Sequence, residues 1–303
     1  MARLLFAAAL LLYGACGFAQ PVATGEDSAF YDSALYDTSR VVALGGSVTE
    51  IIFALGVEDR LVAVDTSSVY PPQGVNDLSK VGYLRQLAAE GVLSLYPSLI
   101  VTTPDAGPPE VLEQIGDAGV TIVVVPDEDS VEGAKAKIRG VAEIFGLAAQ
   151  ADDLIRQIDL DVAEARLYLA SRQVRSAPKV MFIYARGGGT LSVAGTATSA
   201  DAMIRLAGGV NSVTGYEGYK PLTAEAAVAA APEVLLLLSR GLESVGGIDG
   251  LWQLPGLALT PAGQNRRVVA LDDLYLLGFG PRVGQAVLDL TLELHPELSA
   301  KRP

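Results

Sequence analysis

The chain has 303 residues, of which 50% are hydrophobic and 19% are charged. This composition is typical of a folded globular protein with a sizeable core and excludes a disordered one. The formal net charge of −13 argues against binding to nucleic acid, whose phosphates need a basic surface. The single cysteine and single histidine exclude a disulfide framework, and they argue against a Ser-His-Asp or Cys-His catalytic site and against a metal site of imidazole and thiolate ligands.

The N-terminus has the features of an export signal. Arg3 supplies a positive charge, residues 4–12 are apolar, and the small residues at 17 and 19 form a cleavage site, which predicts a signal peptide over residues 1–19. The apolar run is too short to span a bilayer in the mature chain, and no other segment is predicted to cross a membrane. The residues that end at Cys16 loosely resemble a lipoprotein processing site, so a lipid anchor at Cys16 remains an alternative to simple secretion.

After a polar lead-in at residues 20–39, strands and helices alternate. The first predicted helix has Ser47 as its expected N-cap, with Glu50 in the capping-box position. The strands are continuously apolar, which favours a parallel α/β lobe over residues 40–128. The predicted strands are 40–44, 61–64, 99–101 and 121–125, and the predicted helices are 48–55, 109–118 and a short one within 80–101.

Residues 129–173 lack proline and repeat apolar residues at helical spacing. This pattern predicts one long linking helix, with a kink near Gly146. A helix of this length acts as a rigid spacer between two lobes and not as a flexible linker.

The alternation resumes over residues 174–303, which predict a second lobe. The pattern Ala-Glu, helix, proline, strand occurs at 88–101 and again at 223–237, which indicates two lobes of one design. Paired acidic residues such as Asp152 and Asp153 are interpreted as solvated, and His295 as a surface residue at the end of the last helix. The lack of a recognisable catalytic cluster in the sequence favours a binding protein over an enzyme. The predicted strands are 179–184, 191–193, 234–238 and 267–271, and the predicted helices are 199–207, 223–230 and 281–295.

Several motifs in order resemble a known family over residues 40–297. They are the segments 41–50, 70–72, 81–85, 90–100 and 278–282. Together they are similar to the periplasmic substrate-binding proteins of bacterial ABC importers for cobalamin, ferric siderophores and haem. The resemblance implies an α/β fold of two Rossmann-like lobes with parallel sheets, joined by one long α-helix (the class III periplasmic-binding-protein architecture).

Within that family, segments 81–85 and 278–282 are similar to the haem-binding branch, which implies that Tyr83 is the axial ligand of haem iron. Tyrosinate is one of the few protein oxygen ligands of haem iron. Because a free phenol has a pKa near 10, a nearby cation must help to stabilise the phenolate. Arg85 is the candidate for that role, or for pairing with a haem propionate.

On the opposite lobe, some haem-binding relatives carry a histidine just after the first strand. Here the corresponding residues are Tyr184, Ala185 and Arg186. Three readings therefore remain open: a five-coordinate iron, an approach of Tyr184 to the iron, and a contact between Arg186 and a propionate.

Further residues of the second half are candidates for the cleft. Tyr219 and Lys220, with Tyr216 beside them, are expected to wall it and to meet the acidic edge of the ligand. Arg282 is a candidate ligand contact too, with an ion pair to Asp272 or Asp273 as the alternative.

Glu90 and Glu225 hold equivalent positions in the two lobes, and the resemblance implies that they dock onto the permease. The implied function is a monomeric, periplasmic haem-binding protein that serves an ABC permease–ATPase complex and is not an enzyme. The alternatives are a cobalamin-binding or ferric-siderophore-binding protein and, more remotely, an exported α/β enzyme.

Overall fold

The computed structural model describes residues 33–171, 174, 176–186 and 191–299. The predicted signal peptide, Cys16, most of the lead-in and the glycine run 187–189 lie outside these residues. Among the helices within them, none is both long and apolar enough to cross a membrane.

The first half forms a five-stranded sheet in the order β3-β2-β1-β4-β5, and every pairing is parallel. The central strands β1 and β4 are fully buried, as expected where both faces of a parallel sheet are covered. The predicted parallel α/β lobe is therefore confirmed. Its strands are β1 Val41–Leu44, β2 Leu61–Val64, β3 Ser79–Lys80, β4 Leu99–Thr102 and β5 Thr121–Val124, and its helices are α1 Gly46–Ala54, α2 Pro72–Val75, α3 Ala89–Leu93 and α4 Pro109–Asp117.

The predicted N-cap of α1 is wrong. The N-cap is Gly45, whose φ of 108° suits a glycine, and Ser47 lies inside the first turn. The backbone N–H of Gly45 donates to Asp65 (2.9 Å), and that of Gly46 donates to Ser67 (3.0 Å). Because residues from the next loop satisfy the helix start, Ser47 is not needed as a cap and Glu50 does not close a capping box.

The linking segment is two helices and not the single helix predicted. α5 (Val131–Ile144) is capped by Ser130, whose hydroxyl accepts from the N–H of Gly133, and α6 (Ala148–Leu169) follows. The break lies at the predicted glycine, Gly146, which has a left-handed φ of 71°. At about 1.5 Å per residue, the 22-residue α6 is roughly 33 Å long, enough to run the length of a lobe.

The second half forms a six-stranded sheet in the order β11-β10-β6-β7-β9, with β8 beside β6. Its strand β7 is antiparallel to both β6 and β9, so this sheet is mixed and not purely parallel as predicted. Residues 185–191 are too few for the crossover that a parallel neighbour requires. The strands are β6 Lys179–Tyr184, β7 Ser192–Ala194, β8 Val210–Asn211, β9 Tyr219–Pro221, β10 Val234–Leu238 and β11 Val268–Leu271. The helices are α7 Ser199–Leu206, α8 Ala224–Ala230, α9 Ser239–Ser244, α10 Gly247–Gln253, α11 Pro261–Gln264, α12 Asp273–Leu277, α13 Val283–Leu294 and α14 Pro296–Ser299.

The internal repeat seen in the sequence has the same local geometry in both halves. Tyr96 and Ala231, each just before a proline, both adopt a left-handed φ (49° and 44°). The N–H of Ser98 donates to the carbonyl just before β1 (2.9 Å), and the N–H of Glu233 donates to the first carbonyl of β6 (2.7 Å). The units α3–β4 and α8–β10 are thus structural equivalents, as the sequence predicts.

His295 is buried, with 1% of its surface exposed, and the prediction of a surface residue is wrong. It ends α13, and the short α14 turns back there through a hydrogen bond from the N–H of Leu298 to the carbonyl of His295 (2.9 Å). Gly208 also lies close to the imidazole, because a Cβ atom there would be 3.2 Å from Nε2 of His295. Tertiary packing therefore covers a helix end that looks exposed in the sequence.

Helix α13 crosses α6 at Gly284, where the two backbones approach closely. A Cβ atom on Gly284 would lie 2.8 Å from the carbonyl oxygen of Ile158 and 2.9 Å from its Cα. We expect Gly284→Val to destabilise the protein by about 1–3 kcal/mol through overpacking, as measured by urea unfolding. Gly116→Val in α4 is the matched control, because a Cβ there meets nothing within 4 Å. Equal unfolding free energies for the two variants would contradict the prediction.

Candidate ligand-binding cleft

A cavity of about 930 Å³ lies between the two sheets, and both halves of the chain line it. Its walls are loops that follow the carboxyl ends of parallel strands, the edge where open α/β sheets bind ligands. In the first half these loops follow β1 to β5, and in the second half they follow β6, β10 and β11. The side chains at this edge that carry charge or a phenol are Tyr83, Arg85, Asp105, Asp127, Asp129, Tyr184, Arg186, Tyr219, Arg240 and Asp273.

Tyr83 and Arg85 lie together in the cleft, as predicted. The Nη1 atom of Arg85 donates to the phenol oxygen of Tyr83 (2.6 Å), and its Nη2 atom pairs with the carboxylate of Asp105. The phenol oxygen of Tyr83 therefore lies directly beside a positive charge. Asp105, which the sequence interpretation missed, orients the guanidinium from the loop after β4.

The loop that carries Tyr83 is held by backbone hydrogen bonds on both sides. Gly82 adopts a left-handed φ of 97°, and its carbonyl accepts from the N–H of Thr66 (2.8 Å). The carbonyl of Leu84 accepts from the N–H of Gly107 (2.8 Å), and the Leu84 side chain is buried. Because Leu84 anchors the loop in the core, its two neighbours project toward the cleft.

Tyr184 and Arg186 form a second Tyr-x-Arg pair on the opposite wall. Here the guanidinium carbon of Arg186 lies 5.1 Å from the centre of the Tyr184 ring, in a cation–π contact. The pair therefore differs from the first one: Arg85 reaches the phenol oxygen of its tyrosine, whereas Arg186 covers the ring.

Tyr219 also lines the cleft, and its ring centre lies 6.0 Å from that of Tyr184. Desolvation in the cleft, reinforced by the negative charge of Asp129 and by Tyr184, raises the pKa of Tyr219 to about 12. At neutral pH this phenol keeps its proton and can donate a hydrogen bond.

Arg240 is a cleft residue that the sequence interpretation missed. It follows β10 at the same sheet edge where Arg186 follows β6. Its position just after a buried apolar strand is the sequence feature that could have identified it as a cleft residue. Desolvation raises the pKa of the nearby Asp273 carboxyl, while the positive charges of Arg240 and Arg186 oppose that rise. Within the described part of the chain, neither arginine has an ion-pair partner within 4.0 Å, which leaves both available to an anionic ligand.

Three predicted cleft residues do not line the cavity. Lys220 lies instead with its ammonium 4.4 Å from the centre of the Tyr216 ring, and Tyr216 is also outside the lining. Arg282 donates to both carboxylate oxygens of Glu50 (2.5 and 3.1 Å), so the alternative pairing with Asp272 or Asp273 is wrong.

The ion pair of Arg282 is explained by the burial of its partner. Glu50 is 4% exposed, and desolvation raises its pKa even though the hydrogen bonds and charge of Arg282 oppose the change. A buried carboxylate needs a cation close by. Arg282 is the one that reaches it, with its guanidinium carbon stacked 3.6 Å from the centre of the Tyr70 ring.

Lys137 of α5 is fully buried beneath the cleft and joins the two halves. Its ammonium pairs with Asp127 (2.5 Å), donates to the hydroxyl of Ser47 (3.1 Å), and donates to the carbonyls of Gly278 and Phe279 (3.3 Å each). Ser47, Asp127 and Gly278 also line the cavity. One buried cation therefore holds the floor of the cleft together.

Glu90 and Glu225 are exposed and lie outside the cleft. Each is the second residue of a short helix, α3 in one half and α8 in the other. Their equivalence, which the sequence repeat predicts, agrees with the shared geometry of the two units.

This arrangement defines a class: a two-lobed α/β binding protein whose ligand site lies between its lobes. The profile of the family described as periplasmic binding protein matches residues 41–275. The chain belongs to the periplasmic binding protein family, and its architecture is class III.

Solved structures of similar proteins support this family assignment. The periplasmic heme-binding protein RhuT from Roseiflexus sp. RS-1 is 47% identical, matches 86% of this chain and 100% of its own, and superposes with a TM-score of 0.82. The periplasmic heme-binding protein BhuT, solved in complex with two hemes, is 44% identical, with coverages of 86% and 98% and a TM-score of 0.80. The vitamin B12-binding protein of Photorhabdus laumondii is 25% identical over 88% of this chain and 92% of its own. The resemblance to the haem-binding branch is thereby confirmed.

Proposed function

We propose that the protein is an extracytoplasmic substrate-binding protein that captures haem in the interlobe cleft and delivers it to an ABC importer. The observation that carries this proposal is the Tyr83–Arg85 pair, in which a guanidinium donates to a phenol oxygen at the wall of an interlobe cavity. The similar proteins of solved structure that are named for heme binding support the same ligand.

In this proposal Tyr83 is the iron ligand. Ferric iron favours an anionic oxygen, and the phenol oxygen of Tyr83 is the one that a guanidinium contacts. Tyr184 is assigned no iron bond, because Arg186 lies over its ring and not at its hydroxyl. The iron is then five-coordinate, and the protein supplies its ligand from the first lobe alone.

The propionates are assigned to the second lobe. Arg186 and Arg240 are cations at the same sheet edge, and a guanidinium pairs well with a carboxylate. Tyr219, which keeps its proton, adds a donor beside them. The cavity volume of about 930 Å³ is near the upper end of the usual range for small-molecule sites, as a ligand of the size of haem requires.

Cobalamin is the second candidate ligand, because vitamin B12-binding proteins are among the relatives. A competition titration with haemin, cyanocobalamin and a ferric hydroxamate siderophore separates the candidates. We expect haemin to bind tightly with a shifted Soret band, and neither competitor to displace it. Tight binding of cyanocobalamin with an unchanged haemin spectrum would reject the haem assignment. The end point of the titration also gives the number of haems bound.

The family also suggests the cellular setting of the protein. The mature chain acts in the periplasm as a monomer, whether released or anchored at Cys16, and its partner is the permease–ATPase complex of an importer. Glu90 and Glu225, one on each lobe, are the proposed contacts with the permease. No catalytic role is assigned to any residue.

A further inference from the structure

The charged side chains of the ligand cleft are sorted toward its two ends. Arg186 and Arg240 follow β6 and β10 of the second lobe, and Asp273, the lining carboxylate after β11, lies near both of them. Asp127 and Asp129 follow β5, the edge strand of the first-lobe sheet. The cleft therefore has a basic end and an acidic end.

Contacts between the lobes show where each end lies along the first-lobe sheet. At the basic end, Leu274 of the segment after β11 lies against Gly46, which follows β1. At the acidic end, the hydroxyl of Ser199 in the first turn of α7 donates to the carboxylate of Asp129 (2.8 Å). Strands β1 and β5 have only β4 between them, so the two ends are about 10 Å apart along this sheet.

Asp129 is the carboxylate of the acidic end that a cation does not neutralise. Its neighbour Asp127 pairs with Lys137 (2.5 Å), and Asp105 in the adjacent loop pairs with Arg85. Within the described part of the chain, Asp129 forms no ion pair within 4.0 Å, and its hydrogen bond comes from a neutral hydroxyl. A ligand in the cleft therefore meets an uncompensated negative charge at this end.

We propose that Asp129 selects for iron porphyrins that carry carboxylates along one edge only. The two propionates of haem pair with Arg186 and Arg240, and the uncharged opposite edge of the ring lies at the acidic end. A carboxylate on that second edge would face Asp129 with like charge, which lowers affinity and so rejects the wrong ligand. The inference rests on the proposed function, since it takes haem as the ligand and adds which porphyrins the cleft rejects.

Haemin and ferric coproporphyrin III are a matched pair of ligands for testing this selection. They share the ring, the iron and two propionates, and coproporphyrin carries two further propionates where haem has vinyl groups. A bond from Tyr83 to iron and contacts with the two arginines are therefore available to both ligands. The ratio of the two affinities reports how the protein treats the second edge.

The test is a Soret titration of the wild type and of Asp129→Asn with each ligand. Because desolvation raises the pKa of Asp129, the titrations are run at about pH 8, well above the usual range of an aspartate carboxyl. We expect the wild type to prefer haemin by about tenfold or more, and Asp129→Asn to bind coproporphyrin about tenfold more tightly than the wild type does, with little change for haemin.

The substitution changes charge and little else. The amide oxygen of asparagine can still accept a hydrogen bond from Ser199, so the contact between the lobes is kept. Asp152→Asn is the matched control, because Asp152 is an exposed aspartate of α6 outside the cleft, and its loss changes the net charge by the same amount. We expect this control to keep the wild-type ratio of affinities.

Different failures have different meanings. An unchanged ratio in Asp129→Asn would overturn the inference, and so would an equal change in Asp152→Asn, since the effect would then be one of net charge. Equal losses for both ligands in Asp129→Asn would also overturn it, because Asp129 would then hold the ligand and not select it. Wild-type protein that binds both ligands equally rejects this inference alone, whereas protein that does not bind haemin rejects the proposed function.

Discussion

Tyr83→Phe is expected to weaken haemin binding by about 100-fold and to change the visible spectrum of the bound haem. Loss of a residue that only supports a metal ligand costs up to about 100-fold in affinity, and loss of the ligand itself should cost at least as much. The substitution keeps the aromatic ring and removes only the phenol oxygen that Arg85 contacts at 2.6 Å. Because packing in the cleft is preserved, the loss reports the bond to iron. A Soret titration of both proteins at neutral pH measures the affinity and the spectrum together.

Tyr219→Phe and Tyr184→Phe are the matched controls for this result. Both remove one phenol oxygen from the same cleft. Neither phenol is assigned a bond to iron, so each removal should leave the spectrum unchanged. A wild-type spectrum for Tyr83→Phe, or a larger change for Tyr184→Phe, would reject Tyr83 as the ligand and move the assignment to the second lobe.

Arg85→Leu tests what the guanidinium contributes to the site. The substitution removes the cation that contacts both the phenol oxygen of Tyr83 and the carboxylate of Asp105. We expect Arg85→Leu to weaken haemin binding by about tenfold, as the loss of an outer partner of a metal ligand does, and to change the Soret band. Wild-type affinity and spectrum in a Soret titration would show that Arg85 does not support the iron ligand.

Lys137→Met is expected to destabilise the protein by about 3 kcal/mol, the lower end of the cost of leaving one partner of a buried ion pair alone. Lys137 is fully buried, and its loss leaves Asp127 without its cation and the carbonyls of Gly278 and Phe279 without their donor. The lower end applies because the Asp127 side chain is 28% exposed and keeps some contact with water. Urea unfolding, followed by fluorescence and by circular dichroism, measures the difference.

The double variant Lys137→Met with Asp127→Asn separates charge from packing. Replacing both partners of a buried ion pair is often nearly neutral, so the double variant should recover part of the stability lost by the single one. Ser47, Asp127 and Gly278 also line the cleft, so we expect Lys137→Met to bind haemin more weakly at temperatures where it remains folded. Unfolding free energies within about 0.5 kcal/mol of the wild type, the range of ordinary surface substitutions, would show that Lys137 does not hold the halves together.

Much of this protein was determined by its sequence alone. Apolar runs of strand length, glycines at helix ends and the repeated Ala-Glu, helix, proline, strand pattern predicted the elements and the two lobes, because secondary structure depends on near neighbours. The loop with Tyr83 and Arg85 was predicted for the same reason. The two residues are neighbours in the chain, and the anchor between them, Leu84, is an apolar residue of that loop.

The tertiary structure alone decided which distant groups meet. Glu50 and Arg282 are 232 positions apart, and Lys137 reaches the carbonyl of Gly278 across 141 positions, so no local pattern relates them. A buried charge is unfavourable unless a partner from another element pairs with it or hydrogen-bonds to it. This requirement explains both contacts, and it explains why Arg282 pairs with Glu50 and does not line the cleft. Sheet topology brought Arg240 to the same wall as Arg186, since the paired strands β6 and β10, which are remote in sequence, end at one sheet edge. Local periodicity can be predicted from the chain, whereas the pairing of buried charges depends on how the lobes pack.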